Sequence, residues 1–352
     1  MDKISKIIVS SDITIRQVME KLDESAEKIL FVVDQKLHLL GVITDGDVRR
    51  WILKNGSLDE TAKTIMTRKP FLLKPGYDFE NAKKLMKDEN IECVPIVDKN
   101  NRLVSALWWT DLFESKERKY FQIQVPVVIM AGGKGTRLEP FTKVLPKALI
   151  PIGDKTVIEV IIEKFLAYGC TDFFVSINHK AGLIKSYFRD ESIKYNIEFL
   201  QEDSFYGTAG SLKLLKNDLK GPFFVNNCDV IIDTDYSDIL KFHNNNKNVI
   251  TIVCSMKNFK IPYGVIETFS GGALKKIKEK PEYDFLVNTG MYIIEKEVLK
   301  MIPAGKFYHM TDLITDCKNS GYKIGVYPIS ENAWTDIGQM KELFSTFKKF
   351  GL

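Results

Sequence analysis

Apolar residues recur at helical spacing over Ile15, Val18 and Leu22, then cluster over Leu30 to Val33 and Leu39 to Ile43. The same succession returns further along the chain. A shift of 64 residues superposes Ile15 on Phe79, Val18 on Ala82, Leu22 on Met86, Ile29 on Cys93, Val32-Val33-Asp34 on Ile96-Val97-Asp98, and Asp47 on Asp111. One ungapped offset accounts for every pair, so the first 120 residues read as a duplication. Each copy predicts an amphipathic helix, a short apolar strand ending in Asp, a second strand (Leu39 to Thr44; Leu103 to Trp108) and an Asp-capped helix.

A charged, poorly apolar stretch, Glu114-Ser115-Lys116-Glu117-Arg118-Lys119, then reads as a linker or exposed helix, which divides the chain into residues 1–121 and 122–352. Beyond it the pattern changes. Val125 to Met130 is an apolar run, Val157 to Leu166 has helical periodicity stopped by Gly169, and strand-like runs follow at Phe173 to Ile177, Ile197 to Gln201, Phe223 to Asn226 and Val249 to Ser255. This alternation predicts an α/β fold with a mostly parallel sheet covered by helices on both faces, and ligands at the carboxyl ends of its strands.

With 352 residues, 45% apolar and 27% charged, the chain has material for two folded domains and is neither a disordered tail nor a coiled-coil rod. Its 50 Lys plus Arg against 46 Asp plus Glu leave a net charge of +4, too little to mark a general nucleic-acid or membrane binder, so attraction for anions must be local. Five scattered cysteines without a CxxC pair argue against a disulfide framework and a zinc site. No apolar stretch is long enough for a membrane span and no signal-like segment follows Met1, so a cytoplasmic, soluble protein is expected. His38, His179, His243 and His309 show no metal-ligand spacing and are assigned no role.

The most informative stretch is Ala131-Gly132-Gly133-Lys134-Gly135-Thr136-Arg137-Leu138, directly after an apolar strand. Glycines at this density let backbone N–H groups converge and let a ligand approach without Cβ obstruction, a geometry suited to phosphate oxygens. A dinucleotide fingerprint would need glycine at Leu138, and a Walker loop would need Gly-Lys-Ser/Thr, so both fail on spacing. Lys134, Arg137, Lys143 and Lys147 place four cations in 14 residues against the single Glu139.

This stretch, followed by Pro140, Thr142 and Pro146-Lys147-Ala148-Leu149, resembles the GGxGTRLxPxT…PKxL signature of the sugar-1-phosphate nucleotidyltransferases. The resemblance covers residues 125–340. It implies that Arg137 and Lys147 bind the nucleotide and sugar phosphates, while the backbone around Ala131, Gly132, Gly133, Gly135 and Thr136 holds the triphosphate. Nucleotidyl transfer brings an anionic sugar phosphate against a polyphosphate, so it calls for cationic clamping and alignment rather than a Ser, Cys or His nucleophile. Magnesium on hard oxygen ligands is the usual clamp. Asp229, which ends Phe223-Phe224-Val225-Asn226-Asn227-Cys228, serves equally as a turn cap when read alone. It matches the family's NGD aspartate, with Cys228 in place of glycine. Trp334-Thr335-Asp336-Ile337-Gly338 resembles the family's WxDIG segment. Asp229 and Asp336 are thereby implied as the metal ligands.

Glu202-Asp203-Ser204-Phe205-Tyr206-Gly207-Thr208-Ala209-Gly210 resembles the family's ExxxxGTAG segment, implying that Glu202, Gly207 and Thr208 contact the nucleotide. Tyr263-Gly264-Val265, Glu279-Lys280-Pro281 and Asn288-Thr289-Gly290 resemble its sugar-side motifs, implying that Gly264, Glu279, Lys280 and Asn288 hold the sugar phosphate. The duplicated segment resembles a tandem CBS module through Gly41-Val42-Ile43-Thr44-Asp45-Gly46-Asp47 and its weaker copy Ser105 to Asp111, with Trp108 at the Thr position. Thr44, Asp47 and Asp111 are the implied contacts to an adenosine nucleotide, and self-association is expected.

The resemblances together imply a tandem CBS module followed by a Rossmann-like α/β/α domain with a mostly parallel sheet. CBS pairs fused ahead of this domain look most like bacterial guanylyltransferases for surface sugars, including those of legionaminic acid synthesis. That implies GTP and glucosamine 1-phosphate, with mannose or manno-heptose 1-phosphate as the alternative. A catalytically silent nucleotide-sensing subunit and a cytidylyltransferase are the competing classes. Retention of Arg137, Lys147, Asp229 and Asp336 speaks against the first, and the sugar-side motifs speak against the second.

Overall fold

The computed structural model describes residues 3–25, 27–89, 91–112, 121–189, 195–215 and 219–338. The chain forms two compact units, Met1–Lys119 and Tyr120–Leu352, and the expected linker at 114–119 lies outside the described residues. In the first unit, β1 (Ile8–Ser10) pairs parallel with β2 (Ile29–Val33), which pairs antiparallel with β3 (Leu39–Thr44). Helix α1 (Ile15–Ser25) buries Ile15, Val18 and Leu22 at the spacing read from the sequence. The second copy follows with α3 (Phe79–Asp88), whose Ala82 and Met86 are buried but whose Phe79, unlike its counterpart Ile15, is exposed, and the hairpin β4 (Cys93–Val97) with β5 (Leu103–Trp108). Backbone bonds between the hairpin tips, Leu39 N–H to Asn101 O at 2.9 Å and Leu103 N–H to Leu37 O at 2.8 Å, join the copies.

The caps after β3 and β5 correct the sequence reading in detail. The N-cap of α2 (Asp45–Leu53) is Thr44, and Asp47 is the reciprocal partner in a capping box. Asp47 Oδ2 accepts from Thr44 N–H and Thr44 Oγ1, both at 2.8 Å, and Oδ1 accepts from Arg50. Asp111, in α4 (Trp109–Leu112), accepts from Trp108 N–H at 3.0 Å. All three residues expected to meet an adenosine nucleotide are thus engaged in helix starts.

The second unit is built on a seven-stranded sheet. Its strands are β6 (Val127–Met130), β7 (Phe173–Ile177), β8 (Ile197–Gln201), β9 (Phe223–Asn227), β11 (Ile250–Lys260), β14 (Glu282–Ile294) and β15 (Ile324–Ile329), with β10 (Val230–Ile232), the hairpin β12 (Val265–Thr268)/β13 (Leu274–Lys278) and β16 (Trp334–Asp336) outside it. The order is β8-β7-β6-β9-β14-β11-β15. Pairing is parallel from β8 through β9 and between β11 and β15, and antiparallel on both sides of β14. The sheet is therefore mixed with a parallel majority. Burial of Val127, Val128 and Ile129 explains why β6 reads as an unbroken apolar run, since a parallel strand is covered on both faces. Helix α5 (Val157–Ala167) starts in a capping box of Thr156 and Glu159 and buries Val157, Ile158, Ile161, Ile162 and Phe165. Among the described residues no helix is long and apolar enough to cross a membrane.

Candidate active site

The carboxyl ends of β8, β7, β6 and β9 lie side by side. Glu202, Asn178, Ala131 and Cys228 follow them directly, and backbone bonds tie the four exits: Ala131 N–H to Ser176 O at 2.9 Å, Glu202 N–H to Ile177 O at 2.9 Å, and Cys228 N–H to Met130 O at 3.2 Å. This is where an open α/β sheet takes its ligand. A cavity of about 310 Å³ opens there. Its walls include Gly132, Gly133, Gly135, Thr136, Arg137, Lys147, Glu202, Gly207, Thr208 and Asp229. Ala131 is buried behind the wall.

Gly132 is required by close approach, because a Cβ there would stand 2.5 Å from Glu202 Oε1. Glu202 is only 5% exposed and accepts from Ser176 Oγ and, at 3.1 Å, from Tyr206 N–H. It braces the glycine loop against the next strand exit. Both its oxygens already have protein donors, so a contact to a nucleobase is not its first role. Gly207, at φ +78°, allows the segment after it to run along residues 306–310, since a Cβ would meet Tyr308 O at 2.7 Å. Tyr308 N–H donates to Tyr206 O at 2.9 Å, and Thr208 Oγ1 accepts from Met310 N–H at 2.9 Å. This zipper holds the exposed ring of Phe307 in the cavity wall. Phe205 lies in the wall too, with Lys134 Nζ 5.1 Å from its ring centre.

Lys147 and Asp229 form an ion pair within the cavity wall, and antiparallel pairing of β10 with β16 sets Val230 opposite Asp336. Ile337 N–H donates to Asp229 O at 2.8 Å. Burial first, then the Asp229 charge, pushes the Asp336 carboxyl above the usual carboxylate range, with Lys147, a backbone hydrogen bond from Gly338 and Arg137 pulling against them. Asp336 Oδ1 is buried without a hydrogen-bond partner. Such an oxygen beside a second carboxylate fits a hard cation. Two carboxylates suit Mg²⁺, which keeps water and phosphate oxygens as its other ligands. No group of three or more metal-ligating side chains occurs among the described residues. The Cys228 thiol, also in the wall, is pushed up to about 12 by burial and stays neutral at pH 7.

The sugar-side quartet is not gathered into this cavity. Gly264, Glu279, Lys280 and Asn288 are exposed; Gly264 backs onto the Glu279 carboxylate, and Asn288 Nδ2 donates to Tyr292 OH at 2.6 Å. The Asn288-Thr289-Gly290 turn reaches the cavity indirectly, because Gly290 packs on Asn227, a wall residue. Sequence reading missed roles for Ser176, Asn227, Phe205 and Phe307. Phe205 stands inside a recognised segment, but Ser176 and Phe307 carry no local signal.

The chain is 32% identical over 242 residues to the UTP-glucose-1-phosphate uridylyltransferase of Synechocystis, covering 63% of this chain and 62% of that protein. It is 32% identical over 232 residues to the mannose-1-phosphate guanyltransferase of Hypocrea jecorina, covering 62% of each. The chain thus spans about 62% of the length of these curated relatives. A crystal structure from Bacillus anthracis, described as a candidate glucose-1-phosphate thymidylyltransferase in complex with sucrose, superposes with TM-score 0.50 at 22% identity, covering 64% of this chain and 95% of that one, and supports the fold alone. The CBS domain model matches residues 3–54 and 62–107, over the duplicated unit. The nucleotidyl transferase model matches residues 126–351, from the strand that launches the glycine loop to beyond Asp336, and the chain belongs to that family, with a CBS pair preceding the domain.

Proposed function

We propose that the chain transfers a nucleotidyl group from an NTP to a sugar 1-phosphate, releasing pyrophosphate. The observation that carries this reading is the convergence of the glycine loop, Arg137, Lys147 and Asp229 on one cavity, with Asp336 paired across β10 and β16. The sugar phosphate oxygen, already anionic, attacks the α-phosphorus in line; the bond to the β-phosphate breaks and pyrophosphate leaves. No general base is needed. Arg137 and Lys147 stabilise the charge that gathers on the phosphoryl oxygens, and backbone N–H groups of the loop orient the leaving group. Mg²⁺ held by Asp229 and Asp336 would offset charge on the phosphates and align them. Phe205 and Phe307 offer apolar faces for a base.

GTP and glucosamine 1-phosphate are the proposed substrates, on the resemblance of the CBS-fused arrangement to guanylyltransferases for surface sugars such as those of legionaminic acid synthesis. Mannose 1-phosphate is the second reading, favoured by the guanyltransferase named for that sugar among the relatives. The test is pyrophosphate release with Mg²⁺ across four NTPs and glucosamine, N-acetylglucosamine, glucose, mannose and heptose 1-phosphates. Release dependent on one pair, and lost in Asp229→Ala, is expected; silence across the panel removes the reading. The CBS unit is proposed to self-associate and to take an adenosine nucleotide near Asp47 or Asp111. Binding there shares or displaces the Thr44–Asp47 or Trp108–Asp111 bond, and calorimetry of the full chain without heat for AMP, ADP or ATP removes that proposal.

A further inference from the structure

The cavity contains a cation of its own on the carboxylate assigned to the metal. Lys147 Nζ donates to Asp229 Oδ2, and the two side chains are only 11% and 13% exposed. Asp336, fixed beside Asp229 by the β10–β16 pairing and the Ile337 N–H to Asp229 O bond, keeps Oδ1 buried and unpartnered. Lys147 is the cation in direct contact with the pair, through Asp229, while Arg137 acts on Asp336 only through space. Leaving both buried carboxylates without a cation would be costly, and Lys147 lowers that cost. A divalent ion placed on the same pair is repelled by the ammonium at close range.

We propose that Lys147 is a built-in counter-cation of the Asp229–Asp336 pair that is exchanged when substrate binds. Without nucleotide it holds Asp229 and weakens divalent binding; the triphosphate draws the ammonium onto its own oxygens as the metal enters. The chemistry of lysine suits this task, since a point charge on a four-carbon stem can swing between two anions, whereas a guanidinium fork favours one bidentate partner. Lys147 opens the short turn Lys147–Leu149 just after Pro146, so any exchange runs through its side-chain torsions rather than its backbone. Metal loading is thereby tied to nucleotide, and an unfilled site retains a neutralising charge. The inference rests on the nucleotidyltransferase reading, but its test uses no substrate.

The experiment titrates Mn²⁺ into the full chain without nucleotide or sugar, counting free Mn²⁺ by electron paramagnetic resonance. Lys147→Met should bind Mn²⁺ about tenfold more tightly than the natural chain, a conservative figure for removing one charge beside a divalent ion even under strong screening. Lys147→Arg, which keeps the charge, should stay near the natural affinity. Adding Asp229→Asn to Lys147→Met should abolish the gain. Equal or weaker Mn²⁺ binding by Lys147→Met, or no binding in any variant, overturns the proposal. Circular dichroism checks that each variant folds, and Lys147→Gln replaces Lys147→Met if that variant does not. Failed pyrophosphate release with the Mn²⁺ gain intact removes the activity and keeps Lys147 as the counter-cation; normal release without the gain removes the counter-cation role and keeps the activity.

Discussion

Replacing Glu202 separates two roles that one buried carboxylate could play. If it reads the base, Glu202→Gln changes the NTP preference and leaves stability nearly untouched. The structure instead gives it two donors, Ser176 Oγ and Tyr206 N–H, and sets Gly132 against Oε1. Hydrogen bonds to a charged group contribute about 1.5–3 kcal/mol each, so losing both in Glu202→Ala should cost roughly 3–6 kcal/mol, a large part of a typical total of about 5–15 kcal/mol. Glu202→Gln keeps one good acceptor but can turn its NH₂ toward a donor, and should cost about 1–2 kcal/mol. Ser176→Ala removes one bond and should cost a similar amount. Urea unfolding measures these losses, and the Ser176/Glu202 double-mutant cycle should show coupling because the two side chains touch. In the pyrophosphate assay a slackened glycine loop should raise KM for every NTP by a similar factor, about tenfold in Glu202→Gln, with a smaller change in kcat. A shifted base preference at unchanged stability would refute the bracing role.

Two further outcomes follow from buried titratable groups. Asp336 has its carboxyl raised, so between the ordinary carboxylate value and the raised one the folded state holds a proton that the unfolded chain has lost; its contribution to stability falls as pH rises through that window. Asp336→Asn, fixed in the neutral form, should therefore melt higher than the natural chain at neutral pH, converge with it in acid, and lose pyrophosphate release. His243 runs the other way: burial lowers it from 6.5 to about 4, so the folded state resists a proton the unfolded chain accepts, and stability is lost as pH falls through that interval. His243→Asn should flatten the acid limb of the melting profile, read by calorimetry, and an unchanged limb would contradict the assignment.

The duplicated unit was legible because its core positions recur with one period; Val18, Ala82 and Met86 are buried as the pattern marks, while Phe79, the counterpart of buried Ile15, is exposed. Inner parallel strands such as β6 announced themselves as apolar runs because both faces are covered, whereas β15, also parallel, went unread. Strand β14 also went unread, because it changes environment midway: Glu282 to Asn288 is partly or fully exposed while Thr289 to Ile294 is buried, so no single period spans it. Its partner β11 was expected to stop at Ser255 yet continues to Lys260, since the outer rungs pair with β14 whatever their polarity. A similar divide runs through the candidate site. Residues that need the ligand close to backbone, the glycine loop above all, leave a dense local signature. Residues that work through a neighbour do not, and Ser176 matters only because β7 lies beside β8, an adjacency set by sheet order. Asp229 and Asp336 stand far apart in the chain, and each alone is an ordinary turn aspartate. Antiparallel pairing of three residues with three makes them one electrostatic unit, with Lys147 already on it. The chemistry of the pair therefore belongs to the fold, and a motif can name its members without showing what balances their charge.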